Sequence, residues 1–317
     1  MKRIPLNALT LYADLDQSTG EATDEAATIS RRLEGGQRRL YATIRDGVRT
    51  RQIYLGTVGD AAAEGKAAAY RDAMERARQR RSTVSALKRL GIPAPPLDAG
   101  RVLDALARAG VFQAGGVLVG TGAYQCYSCL VGHFLPAQSL MTRDVDLSIA
   151  RIAVAKLTAL DRDLGDILGE ADPSFRPVMR GEKAPQSFRN RAGFTVDLLT
   201  TQGRKPDPVY IKGFGAYAVP LAHMDFLIAE PVAAVALYGR GVRVTVPDPA
   251  RFALHKIAIS RRRVAQRQKV PKDELQAAAL IEALSAFDPE VFAHAVDAAK
   301  EKGGELRRVA LGVLEEK

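Results

Sequence analysis

Asp144-Val145-Asp146 and Asp197 are the residues whose types and spacing could do chemistry. A D-x-D on a strand points two carboxylates to one face, because strand side chains alternate with a period of two. A third carboxylate on a neighbouring strand would complete a clamp for two magnesium ions about 3.5–4 Å apart. Magnesium is a hard cation that prefers carboxylate oxygen, water and phosphate. Nucleotidyl transfer asks the protein for little covalent chemistry. It needs an aligned triphosphate and positive charge near the reacting phosphorus. A lone D-x-D is a weak signal, since any exposed strand can carry two aspartates. Its weight here comes from Gly120-Thr121-Gly122, which closes an apolar run upstream. A glycine-rich turn lets backbone N–H groups approach phosphate oxygens, although the same glycines would also serve a tight strand-to-helix turn without a ligand.

Lys256 sits among Leu254, Ile257, Ala258 and Ile259, a setting in which an unpaired ammonium is costly. A triphosphate would be one partner. Asp273, at the start of the next expected helix, would be another, and snorkelling to the rim is the third solution. Lys272-Asp273 also suits a helix start on dipole grounds alone. Alternation places Arg143 opposite Asp144. Arg261, Arg262 and Arg263 form a charge run that fits a solvated face or an RNA backbone. Cys126 and Cys129 form a C-x-x-C with His133 nearby, short of the four ligands of a structural zinc site. His223, His255 and His294 are distant in sequence. A redox pair is conceivable chemistry, and two small apolar residues packed in a helix is the favoured reading. No Ser-His-Asp arrangement, P-loop or G-x-G-x-x-G fingerprint is visible.

The elements that must position these residues follow from pattern. RRLYATIRDGVRTRQIYLGTVG reads as a β-hairpin turning at Asp46-Gly47. The following alanine- and arginine-rich stretch reads as a helix closed by Gly91 and Pro93, and IPAPP marks a boundary. RVLDALARAGVF is an amphipathic helix, GGVLVGTGAY a buried strand, and AYQCYSCLVGHFL a helix. TRDVDLSIA, GFTVDLLTT and VRVTVPDP read as strands, the last running into the helix that holds Lys256. DELQAAALIEALSAF and the stretch around PEVFAHAVDAAKEK are helical. The expected fold is α/β (α+β), with a basic hairpin-and-helix domain over 1–95, a core over 96–250 and a helical region over 251–317.

Composition narrows the partners. The 317 residues are 47% hydrophobic and 26% charged, an ordinary globular balance rather than a disordered or membrane one. A net charge of +10 favours polyanions such as nucleotides or nucleic acid, or else a solvated basic surface. With no tryptophan and 6% aromatics, wide base-stacking platforms are not expected. Met1 to Leu11 lacks the apolar stretch of a signal peptide, no segment reaches the roughly 20 apolar residues of a membrane span, and the cytoplasm is the expected location.

VLVGTGAY, TRDVDL and FTVDLL together resemble the DNA polymerase beta type of nucleotidyltransferase fold, with a glycine pair after a strand, a D-x-D, and a third acid on a later strand. VPDPARFALHKIAISRRR and KVPKDELQAAALI extend the likeness. They resemble a bacterial nucleotidyltransferase domain family and, more distantly, the abortive-infection type IV toxin nucleotidyltransferases. The likeness covers roughly residues 97 to 285. It implies magnesium binding by Asp144, Asp146 and Asp197 and phosphate contacts from Gly120-Thr121 and Lys256. It also implies an important aspartate at Asp273. Thr121 stands where the pattern has serine or a second glycine, and the distance from that turn to Asp144 is longer than usual. The implied activity is transfer of a nucleoside monophosphate from an NTP, ATP included, to an acceptor. The basic first third makes RNA, perhaps tRNA, the favoured acceptor. The rival reading is a non-catalytic nucleic-acid-binding or regulatory module on the same fold.

Overall fold

The computed structural model describes residues 1–20, 27–46, 49–136, 149–154, 160, 162–179, 184–203, 207–262 and 267–315. Helix α1 (Leu6–Gly20) is followed by three antiparallel strands, β1 (Ala27–Glu34), β2 (Gln37–Asp46) and β3 (Arg49–Thr57). The expected hairpin is β2–β3, with Asp46 opposite Arg49; β1 is an addition that the sequence pattern did not flag. Alternation sorts this sheet cleanly. Leu40, Ala42 and Ile44 turn to one face and meet α2 (Ala61–Arg89) at Ala63 and Ala67. Gly56 makes that approach possible, because a Cβ there would lie 2.5 Å from the Ala63 methyl. A register shift beside Leu40 and Tyr41 lets Leu55 stay inside. Asp60 caps α2 by accepting the Ala62 N–H at 3.0 Å.

The far half of α2 belongs to a second cluster. Val84 and Leu87 pack with Ile4, Tyr12 and Leu15, and with Val235 and Leu237 from much later in the chain. The Val235 N–H donates to the Tyr12 hydroxyl at 2.8 Å, and the Arg80 guanidinium donates to the Ser18 carbonyl at 3.2 Å. Helix α1 is thereby seated on the larger body of the protein, while the three-stranded sheet packs on the near half of α2.

The larger body is a mixed α/β arrangement around a seven-stranded sheet. After α3 (Leu97–Arg108) come β4 (Gly116–Val119), α4 (Thr121–Tyr124), α5 (Tyr127–Leu130), β5 (Ile149–Val154) and α6 (Leu164–Ala171). They are followed by β6 (Arg176–Val178), β7 (Ser187–Arg189), β8 (Thr195–Thr201), β9 (Val209–Ile211) and β10 (Ala216–Leu221). The main path is β4-β5-β8-β10-β9, with β7 pairing β8 and β6 pairing β7. Strands β5, β8 and β10 run parallel to one another; β4 and β7 run against their partners. Helix α7 (Met224–Leu227) leads to the ribbon β11 (Pro231–Ala236) and β12 (Val242–Pro247). Then come the helices α8 (Pro249–Arg262), α9 (Val270–Phe287), α10 (Pro289–Lys302) and α11 (Gly304–Glu315).

The stretch expected as one helix over AYQCYSCLVGHFL is instead two single turns, α4 and α5. The reason lies in its aromatic rings. Tyr124 and Tyr127 are fully buried, and both pack on Phe252 of α8, with ring centroids at 6.2 and 5.2 Å. Gly132, at φ 65°, then turns the chain in a conformation that favours glycine. No helix among the described residues is long and apolar enough to cross a membrane.

Candidate functional site

Strand β8 is central to the larger sheet, and its third residue is Asp197. Val196, Leu198 and Thr200 are buried, whereas Asp197, Leu199 and Thr201 lie on the less covered face. Period-two alternation therefore puts a carboxylate on the less covered face while its neighbours anchor the strand in the core. Register fixes what stands beside it. Val119 pairs with Arg151, Arg151 with Asp197, and Asp197 with Ser187, so the four form one row across β4, β5, β8 and β7.

Gly120 follows Val119 directly, so its turn lies next to that row, at the end of the sheet where β5 begins. Its backbone, φ 69° and ψ −148°, is one that a side chain strains. It opens α4, and its carbonyl accepts the Tyr124 N–H at 3.2 Å. Thr121 is half-buried at the first position of α4. Asp144 and Asp146 lie outside the described residues, as does Arg263. Asp146 stands three positions before Ile149, the first residue of β5. Of the three expected carboxylates, the described structure thus places Asp197.

Lys256 is joined to this turn by aromatic packing. Its ammonium lies 5.2 Å from the centre of the Phe252 ring, and Phe252 stacks on Tyr124, four residues after Gly120. The same ammonium is 2.6 Å from Asp273 Oδ1, and the two side chains are 12% and 4% exposed. Of the solutions open to Lys256 in the sequence, pairing with Asp273 is the one in the fold. Asp273 stands in the first turn of α9, facing α8. Arg261 and Arg262 are exposed at the end of α8; Arg262 reaches the His223 Nε2 at 3.3 Å, and Arg261 lies 3.7 Å from Glu305.

The cysteines are inert. Cys126 and Cys129 are free and buried, and burial pushes both thiols up to about 12, so neither is a thiolate at neutral pH. His133 is buried with Nδ1 2.8 Å from the Val131 carbonyl. Among the described residues no group of three histidine, cysteine or acidic side chains could hold a metal ion. His255 is buried, with Nε2 3.2 Å from the Ala222 carbonyl, and desolvation lowers its pKa to about 3.

Sequence reasoning did not flag an open cavity of about 360 Å³ where β11 begins, beside α8 and α10. Asp248 and Arg251 line it with Glu230 and His294. Arg251, 5% exposed, bridges to Glu230 at 2.7 Å and lies 5.0 Å from the centre of the Phe226 ring. Burial holds the Asp248 carboxyl above its usual range while it caps α8 through the Ala250 and Arg251 N–H groups. These groups answer one another, and the arrangement reads as a brace for the start of α8. The only sequence signal for it was Pro-Asp-Pro before the helix.

A family model described as Nucleotidyltransferase matches residues 98–301. No curated protein matches the chain. Among solved structures the chain is similar to an antigenic nucleotidyltransferase-like protein from Paracoccidioides brasiliensis, at 14% identity, over 69% of this chain and 94% of that one, with a TM-score of 0.33. That likeness is too loose to bear on mechanism.

Proposed function

The chain belongs to this nucleotidyltransferase family, and from that premise we propose that it transfers a nucleoside monophosphate from an NTP, ATP among them, to a hydroxyl of RNA. The acceptor oxygen forms its bond to the α-phosphorus as the bond from that phosphorus to the bridging oxygen breaks, and pyrophosphate leaves. The acceptor's proton passes to a base at the Asp197 end of the site.

What carries the reading is the row that sets Asp197 two strands from the Gly120 turn. Asp197 offers a hard oxygen donor on the less covered face of β8, which fits magnesium and not a softer metal. Asp144 and Asp146 would hold both magnesium ions, and Asp197 the one nearest the acceptor. When bound, magnesium supplies positive charge that aligns the triphosphate and steadies the leaving pyrophosphate. The register sets Arg151 level with Asp197, so the reading requires the segment before β5 to deliver the Asp144 and Asp146 carboxylates to that level.

The protein's own groups do the rest. Backbone N–H groups around Gly120 and Thr121 would approach phosphate oxygens. Lys256 would add a point charge from the far side of Phe252 and Tyr124, with Asp273 holding its ammonium in place. We place this activity in the cytoplasm.

The test incubates the purified protein with magnesium, each labelled NTP and total RNA. Label that enters RNA and disappears with Asp144→Asn supports the reaction and the acceptor together. Label unchanged in Asp144→Asn sinks the site assignment. No label in RNA, protein or small molecules, with any NTP, favours a non-catalytic module on this fold.

A further inference from the structure

The three-stranded sheet has a second face, and nothing in the proposed transfer chemistry uses it. Helix α2 covers the side that carries Leu40, Ala42 and Ile44. The opposite side carries Arg32, Arg39, Tyr41 and Tyr54, because each alternates with a buried neighbour or pairs across with one that does. Tyr41 and Tyr54 are cross-strand partners with ring centroids 5.4 Å apart. The Arg32 guanidinium lies 5.4 Å from the Tyr41 ring, and that of Arg39 lies 5.8 Å from the Tyr54 ring. The result is a pair of neighbouring rings, each with a guanidinium beside it, on an open face.

Two features separate this face from ordinary solvated decoration. The first is charge. Residues 27–57, both faces of the sheet together, hold seven arginines against two acids, Glu34 and Asp46, so these 31 positions carry +5 of the whole chain's +10. The second is unused binding capacity. Tyr54 is 52% exposed, an aromatic ring that folding left uncovered. Arg39 Nε is shielded from solvent and has no hydrogen-bond partner among the described residues, and the guanidinium's contact to Glu34 is long, at 3.3 Å.

We propose that this open face, centred on Tyr41, Tyr54, Arg32 and Arg39, docks single-stranded RNA. Aromatic rings and guanidinium planes accept the flat faces of unpaired bases, which a duplex does not expose. The surrounding arginines follow the phosphates. Thr43 and Gln52, joined at 3.3 Å on the same side, offer hydroxyl and amide groups to a ribose 2′-hydroxyl, a group that DNA lacks. As a surface for RNA binding the proposal stands alone; as the surface that delivers the acceptor it rests on the nucleotidyl-transfer reading.

The test measures anisotropy of a labelled 12-nucleotide mixed-sequence RNA with the full chain, without NTP, against the same sequence as single-stranded DNA and as duplex RNA. Tyr54→Ala should weaken binding to the single strand about 10-fold or more, while Tyr54→Phe keeps it. The pair Arg32→Ala with Arg39→Ala should flatten the salt dependence, by about 0.7 in log–log slope for each phosphate that is no longer neutralised. Unchanged melting curves would show that the sheet survives. Wild-type affinity in both the Tyr54→Ala and the double-arginine variants overturns the proposal. Equal or tighter binding to duplex RNA or to single-stranded DNA overturns it as well. Asp197→Asn separates the two readings: RNA binding that persists while label transfer is lost assigns them to different regions, whereas unchanged transfer sinks the nucleotidyl-transfer site and leaves the RNA face standing.

Discussion

Two ion pairs in this protein look alike on paper and stand in opposite physical settings. Arg39 and Glu34 meet at 3.3 Å on the open sheet face, with side chains 39% and 40% exposed. Lys256 and Asp273 meet at 2.6 Å between α8 and α9, at 12% and 4%. The first pair is solvated on both partners, contributes little to stability, and can exchange one partner for a ligand at small cost. The second is committed to the fold, since removing either charge breaks a close pair in a poorly solvated site. Solvation, more than distance, decides which pair is available for binding. It also divides the molecule into a basic sheet open to a partner and an α/β body whose polar groups are largely engaged.

The largest expected effect belongs to the body. Asp197→Asn should lower nucleotidyl transfer about 10³-fold, the several kcal/mol that a metal-held charge contributes to a transition state. RNA affinity should stay unchanged, as measured by anisotropy. A joint loss of both would break the division between the two regions. Next is Lys256→Ala, which should cost about 3–5 kcal/mol in urea unfolding by taking the ammonium from beside the buried Asp273 carboxylate. Lys256→Met combined with Asp273→Leu should recover most of that stability. If the recovered protein also transfers nucleotides at the wild-type rate, Lys256 has no part in holding phosphate.

How much of this was legible beforehand follows the same line. Strand β8 was plain in FTVDLLTT, because alternation and β-branched residues agree over seven positions. The β2–β3 hairpin and the helices α2, α8, α9 and α10 were legible for similar reasons. Strands β6, β7 and β9 are three residues each, too short for any periodicity, and exist because a neighbour supplies hydrogen bonds: β8 to β7, β7 in turn to β6, and β10 to β9. The chain from Tyr124 to His133 misled because its composition suits a helix, while Tyr124 and Tyr127 gain more by reaching Phe252. The partner of Lys256 was open in the sequence because it depends on how α8 and α9 align, seventeen residues apart. The open sheet face was missed since no single tyrosine or arginine in it is unusual; only the registers of β1 and β3 against β2 bring them together.

A smaller effect should appear with pH, and it too belongs to the body. His255 is held near pKa 3 by burial, against about 6.5 when unfolded. Between those values the unfolded chain binds a proton that the folded chain refuses, so stability falls as pH drops. The loss should reach about 2 kcal/mol between pH 8 and pH 5. His255→Gln should show a flatter profile over that window in urea melts. The 27–57 sheet contains no histidine, so an equally steep profile in the variant would place the acid sensitivity elsewhere.

The smallest effect tests the exposed pair itself. Glu34 accepts from the Tyr41 hydroxyl at 2.7 Å and from Arg39 at 3.3 Å, and it is the one acid of β1 on an otherwise cationic face. Glu34→Gln removes that charge while an amide oxygen can still accept from Tyr41. Folding stability should change by less than about 1 kcal/mol, as for other solvated pairs. RNA affinity should rise about two- to threefold, because the Arg39 guanidinium loses its anionic competitor and the face loses a repulsive charge. A larger stability loss with no gain in affinity would mean that Glu34, Arg39 and Tyr41 serve the sheet rather than a ligand, and the contrast with Lys256–Asp273 would then be one of degree.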